Sequence, residues 1–396
     1  MPYARIAGAA LAGLAGLVPA VSVAPAHAAL TEPARSACRT AAEVPVATKA
    51  VFNDPVSGTP TAVVEELCSL IKQAPAGSSI ELATFVISGD AGEDYVAVLL
   101  DALSRGVDIR LVIDGYQVDS PAARAFVTAL GDDRSADSWA HVCSHLSPEG
   151  NTTSCQGTKG MHNKFLLFSE TGGQEDVVVQ ASNNITDVNS RSYWNNAVVA
   201  TGNSRLFEAY AAYFDDLAAE VQDPDYYRTV STGMRGGRVT AAFYPSATRD
   251  PIAERLDRVG CHPQGRTHVE IGQSEWDATR LGIVDALAGL VDQGCVVRVV
   301  HGLADAEVLT ALDDAGVPRH ALDGSTPAGR IHSKYVAVTG ATGRGSAGDW
   351  VMTGSHNFNH TSLRRNDEAM IELSEPGVVS SYVDNFAQMW DAATTG

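Results

Sequence analysis

One short pattern occurs twice in this chain of 396 residues and constrains what it can fold into. The first copy is Met161-His162-Asn163-Lys164 followed by Phe165-Leu166-Leu167-Phe168; the second is Ile331-His332-Ser333-Lys334 followed by Tyr335-Val336-Ala337-Val338. Each is a His-x-Lys pair running into an apolar stretch of strand length, and alternation puts the histidine and the lysine on one face at the start of that strand. The lysines are only Lys49, Lys72, Lys159, Lys164 and Lys334, so with 11 histidines chance supplies on the order of 0.1 such pairs. Behind each pair, after a second apolar run, stands a Ser-x-Asn element: Ala181-Ser182-Asn183-Asn184 and Gly354-Ser355-His356-Asn357. A pattern duplicated at this length implies two similar halves that share one site.

The flanking pattern repeats as well. In the first half a helix over Ala62 to Lys72 precedes a strand over Ser79 to Ile87. A helix over Val96 to Arg105 then stops at Gly106, before a strand over Ile109 to Asp114. The second half replays this with a helix over Ile252 to Val259, a strand over His268 to Ile271, a helix over Ile283 to Val291 ending near Gly294, and a strand over Val296 to Val300. Each half closes with a strand (Ala197 to Ala200; Ala369 to Leu373) and a helix (Arg205 to Ala219; Val378 to Ala392). The expectation is α/β: two fused repeats, 46–222 and 239–396, each a mixed sheet flanked by helices, related by a pseudo-twofold with the site at their interface. Residues 223–238, with Gly233 and Gly236-Gly237, read as a surface linker. The first half alone carries an insertion from Tyr116 to Gly160, expected to wall the entrance to the site.

Residues 1–28 have the form of a secretory signal peptide: Arg5, an apolar stretch to Val23, and Ala26-His27-Ala28 before the expected cleavage. Residues 29–45 read as an N-terminal arm. No later run is long and apolar enough to span a bilayer, so a secreted protein is expected. An even set of cysteines in that setting reads as disulfides. Of the fifteen possible connectivities, proximity in sequence favours Cys38–Cys68, Cys143–Cys155 and Cys261–Cys295. A zinc site from Cys143, His145, Cys155 and His162 has no common ligand spacing and would consume a motif histidine. The formal charge of -19 repels polyanions, and no basic stripe offsets it, so no nucleic-acid partner is expected.

The duplicated motif resembles that of the phospholipase D superfamily, H-x-K-x4-D followed by G-[SG]-x-N. It departs from that pattern at Ser169 and Thr339, which stand where the family has Asp, and at Ala181, which replaces the first glycine. Both halves lack the acid while keeping His, Lys and Asn, which reads as a divergent active subfamily. The resemblance implies a phosphodiesterase with His162 and His332 as nucleophile and general acid, a phosphohistidine intermediate, and no cofactor or metal. Lys164 and Lys334, with Asn184, Asn357, Ser182 and Ser355, would bind the phosphate oxygens.

Aligning Ala197 with Ala369 sets Asn196 opposite Glu368. If each serves the histidine of its own half, Glu368 holds His332 protonated as the acid and Asn196 leaves His162 free to attack. His356 and His360 flank the second asparagine, and Trp194 and Trp276 read as core or cleft wall. The expected substrate is a phospholipid at a membrane or micelle surface, hydrolysed or transphosphatidylated by a monomer. A secreted nuclease, a C-type cleavage and a catalytically silent lipid or phosphate binder are the other readings.

Overall fold

The computed structural model describes residues 37–263, 265–343 and 347–395. The expected signal peptide and residues 29–36 of the arm lie outside them. The first half builds a seven-stranded sheet from β1 (Lys49–Phe52), β2 (Ser79–Thr84), β3 (Asp108–Asp114), β4 (Trp139–Cys143), β5 (Lys164–Thr171), β6 (Gln174–Ala181) and β7 (Asn196–Ala200), ordered β1-β7-β6-β5-β2-β3-β4. The second builds an eight-stranded sheet from β8 (Arg228–Met234), β9 (Gly237–Tyr244), β10 (His268–Trp276), β11 (Val296–Ala304), β12 (Arg319–Ala321), β13 (Lys334–Ala341), β14 (Gly348–Gly354) and β15 (Glu368–Leu373), ordered β8-β9-β15-β14-β13-β10-β11-β12. Apart from the edge strand β8 the two orders coincide, β1 matching β9 and so on to β7 and β15. Both sheets are mixed: β2 and β3 run parallel, as do β10 and β11, while each motif strand pairs antiparallel on both sides.

Helices cover the outer faces because their apolar sides bury there: Ala62–Gln73, Gly89–Ser104 and Pro121–Leu130 on the first sheet, Pro251–Leu256, Leu281–Asp292 and Ala306–Asp314 on the second. Gly106 (φ +90°) and Gly294 (φ +87°) stand at the matching left-handed turn after a helix, a conformation that costs glycine nothing. The closing helices Ser204–Ala219 and Pro376–Thr395 lie inside, in one core shared by both sheets, where Tyr213 stacks on Phe243 and Tyr382 meets Phe52 edge-on. Each therefore ties its own sheet to the other, the first helix at β9 and the second at β1.

The three disulfides pair as expected, Cys38–Cys68, Cys143–Cys155 and Cys261–Cys295. With Cys143 and Cys155 joined to each other, neither offers a thiolate to a metal. Residues 228–234, read from sequence as linker, form β8, whose partner β9 satisfies its backbone on one side. The insertion folds into the helix Pro121–Leu130, β4 and a two-stranded ribbon (His145–Leu146 with Thr153–Ser154), and its end is pinned across to the second half. The Asp367 carboxylate accepts the backbone N–H groups of Cys155 (2.7 Å), Gln156 (3.2 Å) and Gly157 (2.6 Å), while Arg365 pairs with Glu149. Among the described residues no helix is long and apolar enough to cross a membrane.

Candidate active site

The two motif strands begin at the contact between the halves, and each is held there by the other half. The His162 N–H donates to the Asp367 carbonyl (3.0 Å), and the His332 N–H to the Trp194 carbonyl (2.8 Å) beside a short parallel ribbon of Arg330–Ile331 with Tyr193–Trp194. The imidazoles are oriented the same way. Nδ1 of His162 lies 3.0 Å from both carboxylate oxygens of Glu368, and Nδ1 of His332 lies 3.1 Å from Oδ1 of Asn195. That leaves Nε2 of each ring for chemistry. The lysines follow: Nζ of Lys164 donates to the His162 carbonyl (2.7 Å) and Nζ of Lys334 to the His332 carbonyl.

Both lysines are buried and both histidines are partly buried, and removal from water is what moves all four from their ordinary values. It lowers His162 against the pull of the Glu368 charge, which favours the imidazolium. His332 goes well below the usual range, because burial is joined by the charges of Lys334 and Lys164 and no carboxylate partner answers them. Lys164 falls to about 7 and Lys334 well below its usual value, again through burial. Burial pushes Glu368 up, but His162, through charge and hydrogen bond, together with His356 and Lys164, outweighs it and holds the carboxyl at about 2. Glu368 is fully engaged, accepting also from Asn366 Nδ2 (2.9 Å) and Ser355 Oγ. An anionic group placed between the lysines would favour their charged forms.

Several expectations change at this level of detail. β6 sets Ala181 opposite Ala197, whereas β14 sets Gly354 opposite Met370, so the residue equivalent to Glu368 is Asn195, not Asn196. The seryl contacts agree: Ser182 Oγ donates to Asn195 Oδ1 (2.9 Å) as Ser355 Oγ does to Glu368. Each partner serves the histidine of the opposite half, so the carboxylate belongs to His162 and the neutral amide to His332, the reverse of the same-half expectation. Asn196 instead donates to Thr353 Oγ1 (2.8 Å) and Tyr382 OH (2.7 Å), joining the halves away from the histidines. Ser182 and Ser355 spend their hydroxyls on orienting these partners rather than on the cleft.

The Oδ1 atoms of Asn184 and Asn357 are buried and unbonded, and Nδ2 of Asn357 lies 3.4 Å from Glu275. His356 is buried against Tyr244 (4.5 Å between rings) and held at about 4 by burial, and His360 begins the short helix His360–Arg364; neither reaches the imidazoles through a hydrogen bond. Trp194 and Trp276 are buried, Trp194 donating its indole N–H to the Ala328 carbonyl (2.8 Å). Phe85, 5.1 Å from the His162 ring, and Tyr193, 6.0 Å from the His332 ring, flank the two imidazoles; in the sequence Phe85 is one residue of an expected strand and Tyr193 carries no signal of its own.

In sequence, the chain matches the family described as cardiolipin synthase, PLD-like domain, over residues 67–218 and 264–390, one segment in each half. The chain belongs to the phospholipase D superfamily. Phosphatidylserine synthase of Haemophilus influenzae has a similar fold, with a TM-score of 0.62 at 12% identity over 91% of both chains. Polyphosphate kinase of Porphyromonas gingivalis aligns over 87% of this chain with a TM-score of 0.54 at 11% identity, and this chain spans half of that enzyme's length (50%). Compared with curated protein sequences, the chain matches none. The superfamily aspartates that Ser169 and Thr339 replace lie five residues beyond the lysines, about 16 Å along an extended strand. Ser169 there accepts the Ser79 N–H (2.8 Å), and Thr339 sits in the ladder opposite His268. Losing those acids leaves the histidine–lysine constellation untouched.

Proposed function

We propose that the protein is a secreted phospholipase D-type phosphodiesterase that removes or exchanges the headgroup alcohol of phospholipids, acting as a monomer at a membrane or micelle surface through a phosphohistidine on His162. The observation that carries the assignment is the Glu368 carboxylate on Nδ1 of His162. It fixes the tautomer with the proton on Nδ1, leaves a lone pair on Nε2, and stabilises the positive ring that forms when Nε2 takes the phosphoryl group. In the first step Nε2 attacks phosphorus in line, the bond to the headgroup oxygen breaks, and that oxygen takes a proton from His332. Lys164 and Lys334, with Asn184 and Asn357, neutralise the non-bridging oxygens. In the second step His332 takes a proton from water, or from an alcohol in transfer, whose oxygen displaces His162 from phosphorus.

His332 is well suited to giving up a proton because burial and the lysine charges hold it low, and the negative charge of an incoming phosphodiester favours its protonated form. The acidity of the chain favours a lipid over a nucleic acid, and three disulfides suit an oxidising compartment. A lipid panel assayed with a chelator present tests the reading. Release of free headgroup and phosphatidate, undiminished by chelation, is expected; activity that returns only on adding metal would sink it.

A further inference from the structure

The site is symmetric in its histidines and lysines but not in its lips. The backbone N–H of Ile185 bonds the Val86 carbonyl in the first half, and that of Phe358 bonds the Glu275 carbonyl in the second, so Val86 and Glu275 are equivalent positions. Two residues before the motif histidine stands Gly160 in the first half and Arg330 in the second. One lip is thus small and apolar; the other carries a carboxylate and a guanidinium.

Glu275 lies at the catalytic groups: one oxygen is 3.4 Å from Nδ2 of Asn357, and its charge acts on both Lys164 and Lys334. Its contacts are nonetheless long. The same oxygen is 3.5 Å from Nδ2 of Asn359, and the other is 3.3 Å from Arg330, with the glutamate side chain 40% exposed. A carboxylate offers about four acceptor positions, so Glu275 keeps capacity for a further donor. Attack by His162 in line places the leaving oxygen on the His332 side, and Glu275 belongs to that half, two residues beyond Gln273, the ladder partner of Lys334.

We propose that Glu275 receives the ammonium group of an amine-bearing headgroup alcohol as that alcohol leaves, or enters, beside His332. The inference rests on the phosphodiesterase reading above and names its substrate class: phosphodiesters of amino alcohols in preference to those of neutral polyols. The Tyr193 ring, stacked towards His332, borders the same lip, with the Arg330 guanidinium 5.5 Å from its centroid.

Calorimetric titration of a His162→Ala protein, which binds without turning over, separates this inference from the reading beneath it. Glycerophosphoethanolamine is expected to bind about tenfold more tightly than glycerophosphoglycerol, the scale of one partly desolvated charge pair. In His162→Ala with Glu275→Gln the preference should vanish, and with Glu275→Asp, which keeps the charge, part of it should remain. Equal affinity of the two diesters in the His162→Ala protein, no binding of either, or a preference that survives Glu275→Gln would overturn the proposal. If the preference holds while the native enzyme releases no headgroup from any lipid, only the phosphodiesterase reading falls.

Discussion

The two halves of the site share a histidine, a lysine, a serine and an asparagine in the same places, and at the imidazoles they differ in one group: a carboxylate oxygen faces Nδ1 of His162 where an amide oxygen faces Nδ1 of His332. Both oxygens accept the ring proton and both are held by a serine hydroxyl, so the geometry is shared. The charge is not. A carboxylate stabilises a histidine that becomes positive, whereas an amide orients the ring and leaves its basicity to burial and to the neighbouring lysines. A duplicated fold thus gives its two histidines unlike partners by one substitution at one register position, without altering the sheet that presents them.

The comparison breaks first at the histidines. His162→Ala should lower turnover by roughly 10^4-fold or more and give no covalent intermediate. His332→Ala should retain the first step with a p-nitrophenyl phosphodiester, whose leaving oxygen needs no proton, and should accumulate phosphohistidine because the base for water is missing too. Trapping at alkaline pH, where a phosphohistidine survives, followed by peptide mapping would decide it; phosphate found on His332 reverses the roles. Next in size, Lys334→Ala should cost about 10²-fold to 10³-fold in kcat with a smaller change in KM, as expected for a charge most effective in the transition state. Normal turnover in that variant would mean the second motif adds nothing to the site.

The partners sharpen the contrast. Glu368→Gln makes the halves alike and should cost about 10-fold to 100-fold in activity. Because Glu368 raises His162, its loss lowers that ring further and moves the acid limb of the pH–rate profile to lower pH. Asn195→Asp does the converse to His332: the new charge favours its imidazolium and carries the alkaline limb to higher pH. Unmoved limbs in both variants would remove the assignment.

The smallest effect concerns the insertion, whose helix Pro121–Leu130 and strand β4 have counterparts in Ala306–Asp314 and β12, but whose two-stranded ribbon, closed by Cys143–Cys155, belongs to the first half. Its disulfide closes a separation of 12 residues, restricting the unfolded chain by about 3 kcal/mol. Because the loop beyond Cys155 is bonded to Asp367, whose carbonyl holds the His162 N–H, reduction should impair activity before the fold melts. Parallel loss of activity and near-ultraviolet dichroism on titration with reductant would contradict this.

Local patterns carried much of the molecule. The His-x-Lys pairs, the apolar runs behind them, the Gly106 and Gly294 helix stops and the spacing of the cysteines determined two α/β halves, their order and their shared site, because each signal lies within a few residues and acts through the backbone or the hydrophobic period. Tertiary structure decided which polar groups meet. Glu368 reaches His162 across 206 residues and Asn195 reaches His332 across 137, both from the opposite half, and no periodicity records a contact of that kind. A one-residue shift in alignment sufficed to put Asn196 in place of Asn195, since adjacent strand residues point to opposite faces and only the ladder with β6 says which one faces the site.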